Sequence, residues 1–209
     1  MSHLIARLDS SDPDFDAAFA RLLMGPAESD AALAGTVSSI IAAVAVEGDA
    51  ALLRFTNQFD SRTLGDPAKF KLPPSALVSA LQAIDPAIRA ALEHAAARIR
   101  DFHKRQLGQS WQYRDDTGSL LGQRVSAMDR VGLYVPGGRA SYPSSVLMNA
   151  IPAKVAGVSE LIMVVPSPSD EISPVVLAAA QLAGVDCVFT IGGAQAIGAL
   201  AYGTARCLG

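Results

Sequence analysis

The chain has 209 residues, of which 50% are hydrophobic and 18% are charged, and its formal net charge is −3 at pH 7. This composition is typical of a globular protein with one large domain or two small ones. A weakly acidic balance without basic runs argues against nucleic acid as a partner, and the lack of a long charge-free apolar segment argues against a membrane partner. With two cysteines and no signal-peptide pattern, we expect a cytoplasmic location.

The first half of the chain carries the start and stop signals of helices. An N-terminal helical arm is predicted over residues 1–30, and a helix pair follows it in which Gly48 ends the first helix. A Pro-Pro pair at Pro73 precedes a further helix, and the Asp-Pro pair that begins at Asp85 starts another, which continues to about Lys104. This part of the chain is therefore predicted to be helical.

A polar turn interrupts the helical pattern before the chain changes character. Asp115, Asp116 and Gly118 are hairpin-type residues between short β-like segments around Trp111 and over Leu120–Val125. We therefore predict a β-hairpin at the end of a mostly helical segment, residues 31–130.

From residue 131 onward, strand and helix patterns alternate, which is typical of a parallel sheet with right-handed crossovers. Ser144 or Ser145 is expected to cap the first of these helices. The fold class is therefore α/β: a helical N-terminal segment followed by a Rossmann-like domain, residues 131–209, that is incomplete. The predicted strands are Val131–Val135, Leu161–Val165 and Cys187–Ile191, and the predicted helices are Ser145–Ala156, Pro174–Ala183 and Ala194–Tyr202.

Ligands of open parallel sheets bind outside the carboxyl ends of the strands. The loops there are Tyr134–Arg139, Pro166–Ser169 and Gly192–Gln195. In the last of them, two glycines permit close approach to the backbone, and the amides at the helix start favour an anionic group such as a pyrophosphate. No G-x-G-x-x-G is present, so the spacing alone favours a tight turn without a ligand. The residues alone favour a packed aromatic ring at a strand end for Tyr134, and a helix-start residue that caps its own turn for Gln195.

The residues give no metal site and no pair of catalytic acid and base. His94 and His103 are nine positions apart in a helical pattern, so they lie on opposite sides of the helix and cannot hold one ion together. Arg139 and Lys154 are the basic residues nearest the ligand edge, and we interpret both as solvated surface charges.

Six segments, in this order along the chain, closely resemble the histidinol dehydrogenase family. They are VSSIIAAVAVEGDAALLRFTNQFD from Val37, RIRDFHKRQ from Arg98, GLYVPGG from Gly132, YPSSVLMNAIPAKVAGV from Tyr142, LAAAQLAGVD from Leu177 and IGGAQAIGALAYGT from Ile191. The resemblance implies an oxidoreductase of histidine biosynthesis that oxidises L-histidinol to L-histidine in two NAD-dependent steps. In that family, substrate is held on zinc, and a glutamate and a histidine transfer protons.

The resemblance also implies which site residues this chain has and which it lacks. Tyr134 and Gln195 match family residues that contact NAD, whereas the family's zinc ligands and its glutamate and histidine have no matching position here. Residues 31–130 would be the first part of a discontinuous α/β domain. The family pattern breaks off after Thr204, so we expect a truncated and inactive chain that forms a homodimer or associates through its incomplete sheet edge. The alternative is a non-catalytic nucleotide-binding remnant, or a partner of an intact dehydrogenase subunit.

Overall fold

The computed structural model describes residues 7–23, 27–137 and 142–205. The chain divides into two compact units, Met1–Ser39 and Ile40–Gly209. The first unit contains helix α1 (Phe15–Leu23) and the first part of helix α2 (Ala27–Glu47). All the elements described below belong to the second unit.

Helices α3 (Asp49–Phe59), α4 (Pro74–Ala83) and α5 (Pro86–Lys104) follow α2 in the second unit, and local signals set their ends. Gly48 has a φ of 57°, a value that glycine adopts without a Cβ clash, and this turn separates α2 from α3. The carboxylate of Asp85 accepts hydrogen bonds from the amides of Ala87 (2.8 Å) and Ile88 (3.3 Å), which caps α5.

The predicted β-hairpin is confirmed. Strands β1 (Trp111–Arg114) and β2 (Leu120–Gln123) pair in antiparallel fashion, and every residue of both strands is exposed. In the turn, the Asp115 carboxylate accepts hydrogen bonds from Thr117 and Ser119, and Gly118 has a φ of 84°. The hydrogen bond from the Thr117 hydroxyl is the largest cause of the lowered pKa of Asp115.

The predicted α/β fold is also confirmed, because β3 (Arg130–Tyr134), β4 (Glu160–Val164) and β5 (Cys187–Phe189) form a parallel sheet in this order. The helices of this half are α6 (Pro143–Val155), α7 (Pro174–Ala183) and α8 (Gly193–Tyr202). The predicted cap of α6 is wrong: this helix begins at Pro143, and its N-cap is Tyr142, with no side-chain capping bond. Proline at the first helical position fixes φ and has no amide to satisfy, so Ser144 and Ser145 fall inside the helix.

Both faces of this sheet are covered, as is usual for parallel sheets. Leu161 and Met163 of β4 point to one face and pack in a core with residues of α4, α5, α6 and α7. Ile162 and Val164 point to the other face and pack in a second core with residues of α2, α3 and α8. Among the described residues, no helix is long and apolar enough to cross a membrane.

The two edges of the parallel sheet differ. Beside β5, the segment Phe70–Leu72 forms an antiparallel bridge: the Thr190 amide donates to the Phe70 carbonyl (2.8 Å) and the Leu72 amide donates to the Val188 carbonyl (2.9 Å). In the described part of the chain, β3 pairs only with β4. Among the described residues, the sheet edge that we expected to be open is therefore the outer side of β3, since the outer side of β5 is partly covered.

Candidate functional site

Three loops meet at the carboxyl edge of the sheet. Pro166, in the loop after β4, lies between the loop after β3 and the loop after β5. A Cβ atom on Gly137 would collide with the carbonyl oxygen of Pro166, and one on Gly192 would collide with the Pro166 ring. Gly192 has a φ of −141°, which any residue can adopt, so close packing and not backbone conformation requires a glycine there. This packing brings the ends of β3, β4 and β5 together. Gly138 and Arg139, part of the predicted ligand edge, lie outside the described residues.

Replacing Gly192 with alanine tests this packing. Because the new methyl group would overlap Pro166, we expect the free energy of unfolding to fall by about 1–3 kcal/mol, measured by urea denaturation. Gly65 is a matched control, since a Cβ there meets nothing within 4 Å. Gly65→Ala should change stability by less than about 0.5 kcal/mol. Equal effects of the two changes would contradict the packing of these loops.

Helix α8 begins at this edge, and its first turn is tied to β3. Gly193 has a φ of +63°, and its amide donates a hydrogen bond to the Tyr134 hydroxyl oxygen at 3.0 Å. Tyr134 is 38% exposed, so its hydroxyl reaches the helix start from a position at the surface. The next amides, those of Ala194 and Gln195, are first-turn donors that have no carbonyl partner within a helix. The helix start therefore presents donors to an anionic group.

Gln195 is the unusual residue of this edge. Its side chain is 1% exposed, and neither Nε2 nor Oε1 has a hydrogen-bond partner. The side-chain amide of Gln195 folds back over the helix start. Its Oε1 lies so close to Gly193 that a Cβ on that residue would be only 2.5 Å away. A buried amide without partners costs about 1–3 kcal/mol, so its presence at a helix N-terminus indicates a position suited to a ligand's polar group. The structure thus brings the two predicted residues, Tyr134 and Gln195, together around Gly193.

Sequence reasoning missed a buried arginine beside this edge and the carboxylate with which it pairs. The Arg62 guanidinium donates from Nη1 to the carbonyl (2.5 Å) and hydroxyl (2.9 Å) oxygens of Thr190, and Nη2 pairs with Asp170 at 2.5 Å. Burial raises the pKa of Asp60, and the Arg62 cation partly opposes this shift. In the sequence, Asp60 and Arg62 follow a helix as polar turn residues, a pattern that is ordinarily solvent-exposed. The burial of Arg62 becomes visible only through its contact with Thr190, which is 128 residues away in the sequence.

The prediction that Lys154 is one of the basic residues nearest the ligand edge is wrong. Lys154 pairs with Asp186 at 2.5 Å and lies in the last turn of α6, away from the carboxyl edge. Within the described residues, no group of three or more His, Cys, Asp or Glu side chains is placed to hold a metal ion. At the carboxyl edge, the first-turn amides of α8 suit an anionic ligand.

Comparison with known proteins decides the family. The family model for histidinol dehydrogenase matches residues 24–208. The chain belongs to the histidinol dehydrogenase family. The histidinol dehydrogenase of Bordetella parapertussis is 55% identical over 202 residues, which are 97% of this chain and 46% of that protein. That of Pseudomonas syringae pv. syringae is 56% identical over 200 residues, or 96% of this chain and 45% of that protein.

The fold of the family is also found in solved structures. The crystal structure of histidinol dehydrogenase from Elizabethkingia anophelis superposes with a TM-score of 0.77 at 29% identity, and the match covers 84% of this chain and 40% of that one. The chain thus spans about half the length of the histidinol dehydrogenases that it matches.

Proposed function

We propose that this chain is the NAD-binding portion of a histidinol dehydrogenase, and that the pyrophosphate of NAD lies at the start of α8 with Tyr134 and Gln195 in contact with the cofactor. The observation that carries this proposal is the Gln195 amide, which is buried without partners beside the first-turn amides of α8. A helix N-terminus attracts phosphate groups, and a bound dinucleotide would satisfy the polar atoms of Gln195.

The residues of the edge have separate tasks in this proposal. The amides of Ala194 and Gln195 donate to phosphate oxygens. Gly192, which packs closely on Pro166, has no side chain that could block the ligand from the helix start. The Tyr134 hydroxyl accepts from the Gly193 amide, so its own proton remains available for the ligand. When bound, NAD supplies the hydride acceptor for oxidation of an alcohol.

The oxidation of L-histidinol is a proposal at the level of the family. As the resemblance implies, the family's zinc ligands have no matching position in these 209 residues. The same holds for the family's glutamate and histidine that transfer protons. We therefore assign no zinc ligand and no catalytic residue to this chain, and we expect it to bind NAD without oxidising L-histidinol. Zinc-dependent NAD reduction by the purified chain in the presence of L-histidinol would contradict this expectation.

A second candidate is a non-catalytic protein that associates through the edge of β3. The observation that favours it is the unpaired side of β3 among the described residues. Beside this strand, Arg130, Gly132, Leu200 and Tyr202 help to line a cavity of about 380 Å³. An open strand edge is a surface for pairing with another chain. Association of this kind, the homodimer of the family and a cytoplasmic location remain proposals.

Replacing Tyr134 with phenylalanine tests the proposed NAD site. The change removes the hydroxyl that joins β3 to the Gly193 amide and leaves the ring in place. We expect the NAD dissociation constant, measured by calorimetric titration, to rise at least about tenfold, because one hydrogen bond to a charged group contributes about 1.5–3 kcal/mol. Tyr113→Phe in the exposed hairpin is the matched control and should leave binding unchanged. If Tyr134→Phe binds NAD as tightly as the unmodified chain, Tyr134 does not contact the cofactor.

A further inference from the structure

Arg62 is buried in the turn after α3, and its guanidinium bridges two loops of the carboxyl edge. The side chain is only 4% exposed. Nη1 donates hydrogen bonds to the carbonyl oxygen (2.5 Å) and the hydroxyl oxygen (2.9 Å) of Thr190, and Nη2 pairs with Oδ1 of Asp170 at 2.5 Å. Both terminal nitrogens are thus engaged with the protein itself, and the buried side chain is not placed to contact a ligand.

Thr190 is the residue through which Arg62 acts on the start of α8. It follows β5 directly, it is buried, and its amide donates to the Phe70 carbonyl at 2.8 Å. Its amide, carbonyl and hydroxyl groups are therefore all held by the segment that carries Arg62 and Phe70. Only Ile191 separates Thr190 from Gly192, and Ile191 is buried in the second core. The chain thus enters α8 from a position that Arg62 fixes.

The second loop that Arg62 holds packs against the N-cap of α8. Asp170 lies in the loop after β4, and its amide donates to the Ser167 carbonyl at 3.1 Å. Ser167 follows Pro166, and Gly192, the N-cap, lies so close to the Pro166 ring that a Cβ on it would be only 2.3 Å away. One side chain therefore holds the loop after β5 through Thr190 and the loop after β4 through Asp170.

The partners of Arg62 require the geometry of a guanidinium. Its planar fork donates to a carbonyl, a hydroxyl and a carboxylate at once, which the single ammonium group of lysine cannot do in the same geometry. Removing a guanidinium from water has a large cost that an ion pair offsets only in part, so stability alone is a weak reason for a buried arginine. Fixing two loops before a ligand arrives reduces the entropy that is lost on binding.

We infer that Arg62 is a positioning residue for the anion site at the start of α8. By holding Thr190 and Asp170, it keeps the first-turn amides of α8 in the arrangement that receives a phosphate group. Arg62 acts through these residues and does not touch the ligand. This role deepens the proposed function of the α8 edge as the NAD site and rests on it.

Replacing Arg62 with lysine in the full chain tests this role, with NAD affinity measured by calorimetry well below the unfolding temperature. Lysine keeps the charge but not the fork, so the NAD dissociation constant should rise about fivefold or more. Arg54→Lys is the matched control. Arg54 also pairs with a carboxylate and lies over an aromatic ring, 4.8 Å from the centre of Phe55, but its side chain is 50% exposed. Its replacement should leave the dissociation constant unchanged.

Two further measurements separate positioning from a general loss of stability. In the ligand-free chain, Arg62→Lys should move the backbone amide signals of Gly193 and Ala194 in a nuclear magnetic resonance spectrum and leave those of the hairpin Trp111–Gln123 in place. Thr190→Val removes one acceptor of Arg62, keeps a β-branched shape and should weaken NAD binding about threefold. The double variant should bind NAD as Arg62→Lys does, within about twofold, because both changes break the same contact.

The outcomes separate the role of Arg62 from the function on which it rests. If the unmodified chain does not bind NAD, the proposed function fails, and the role of Arg62 with it. If the chain binds NAD and Arg62→Lys binds it as tightly, Arg62 is structural only. Additive effects in the double variant would also overturn the proposal, since Arg62 would then not act through Thr190. Should Arg62→Lys fail to fold, unchanged NAD affinity in folded Thr190→Val decides against the proposal, and the threefold loss supports it.

Discussion

Replacing Phe70 with alanine should lower the free energy of unfolding by about 3–5 kcal/mol, the largest stability effect that we expect from a single change in this chain. The ring is 0% exposed and packs in the second core with β4, β5 and α8. It also lies beside the Arg62 guanidinium, and its backbone carbonyl accepts the Thr190 amide. Removing it leaves a cavity at the covered edge of β5.

Urea denaturation followed by far-ultraviolet circular dichroism measures the effect of Phe70→Ala. Phe59→Ala is the control, because Phe59 is 50% exposed at the end of α3. Its loss should cost less than about 1 kcal/mol. If Phe70→Ala costs no more than Phe59→Ala, the segment Phe70–Leu72 does not pack against β5 in solution.

Replacing Gln195 with methionine should move stability and binding in opposite directions. Methionine keeps the length of the side chain and removes both unpartnered polar atoms, so the free energy of unfolding should rise by about 1–2 kcal/mol. Affinity for NAD should fall at least about tenfold, because buried hydrogen bonds to the ligand are lost. Thermal unfolding and calorimetric titration measure the two effects.

Gln181 supplies the control for this experiment. It lies near the end of α7, where the chain enters β5 at the amino edge of the sheet, and it is half-buried. Gln181→Met should leave NAD affinity unchanged. A Gln195→Met chain that loses stability and retains affinity would show that Gln195 has an ordinary structural role.

Local signals in the sequence predict most of the elements of this fold. The hairpin around Asp115 and Gly118 and the α5 cap at Asp85 depend on neighbouring residues, and the structure confirms both. The cap of α6 was predicted wrongly because two signals compete within four residues, and proline at Pro143 prevails over the serines that follow it. Helix α7 has the predicted bounds, Pro174–Ala183, with Gly184 in the left-handed conformation after it.

Long-range contacts account for what the sequence does not predict. The bridge between Lys71 and Phe189 has no local signature, so the covered edge of β5 becomes visible only in the folded chain. The same holds for Arg62, whose partner Thr190 is 128 residues away. For the site, the resemblance singled out Tyr134 and Gln195, but their meeting at Gly193 joins positions 59 residues apart. Neither periodicity nor spacing carries that information.

The most direct test of the NAD site is a titration of the isotope-labelled chain with NAD, followed through the backbone amide signals in a two-dimensional nuclear magnetic resonance spectrum. We predict saturable shifts that are largest at Gly192, Gly193, Ala194 and Gln195, with the exposed hairpin Trp111–Gln123 unaffected. Shifts confined to other surfaces, or an unchanged spectrum at saturating NAD, would contradict the placement of the cofactor at the start of α8.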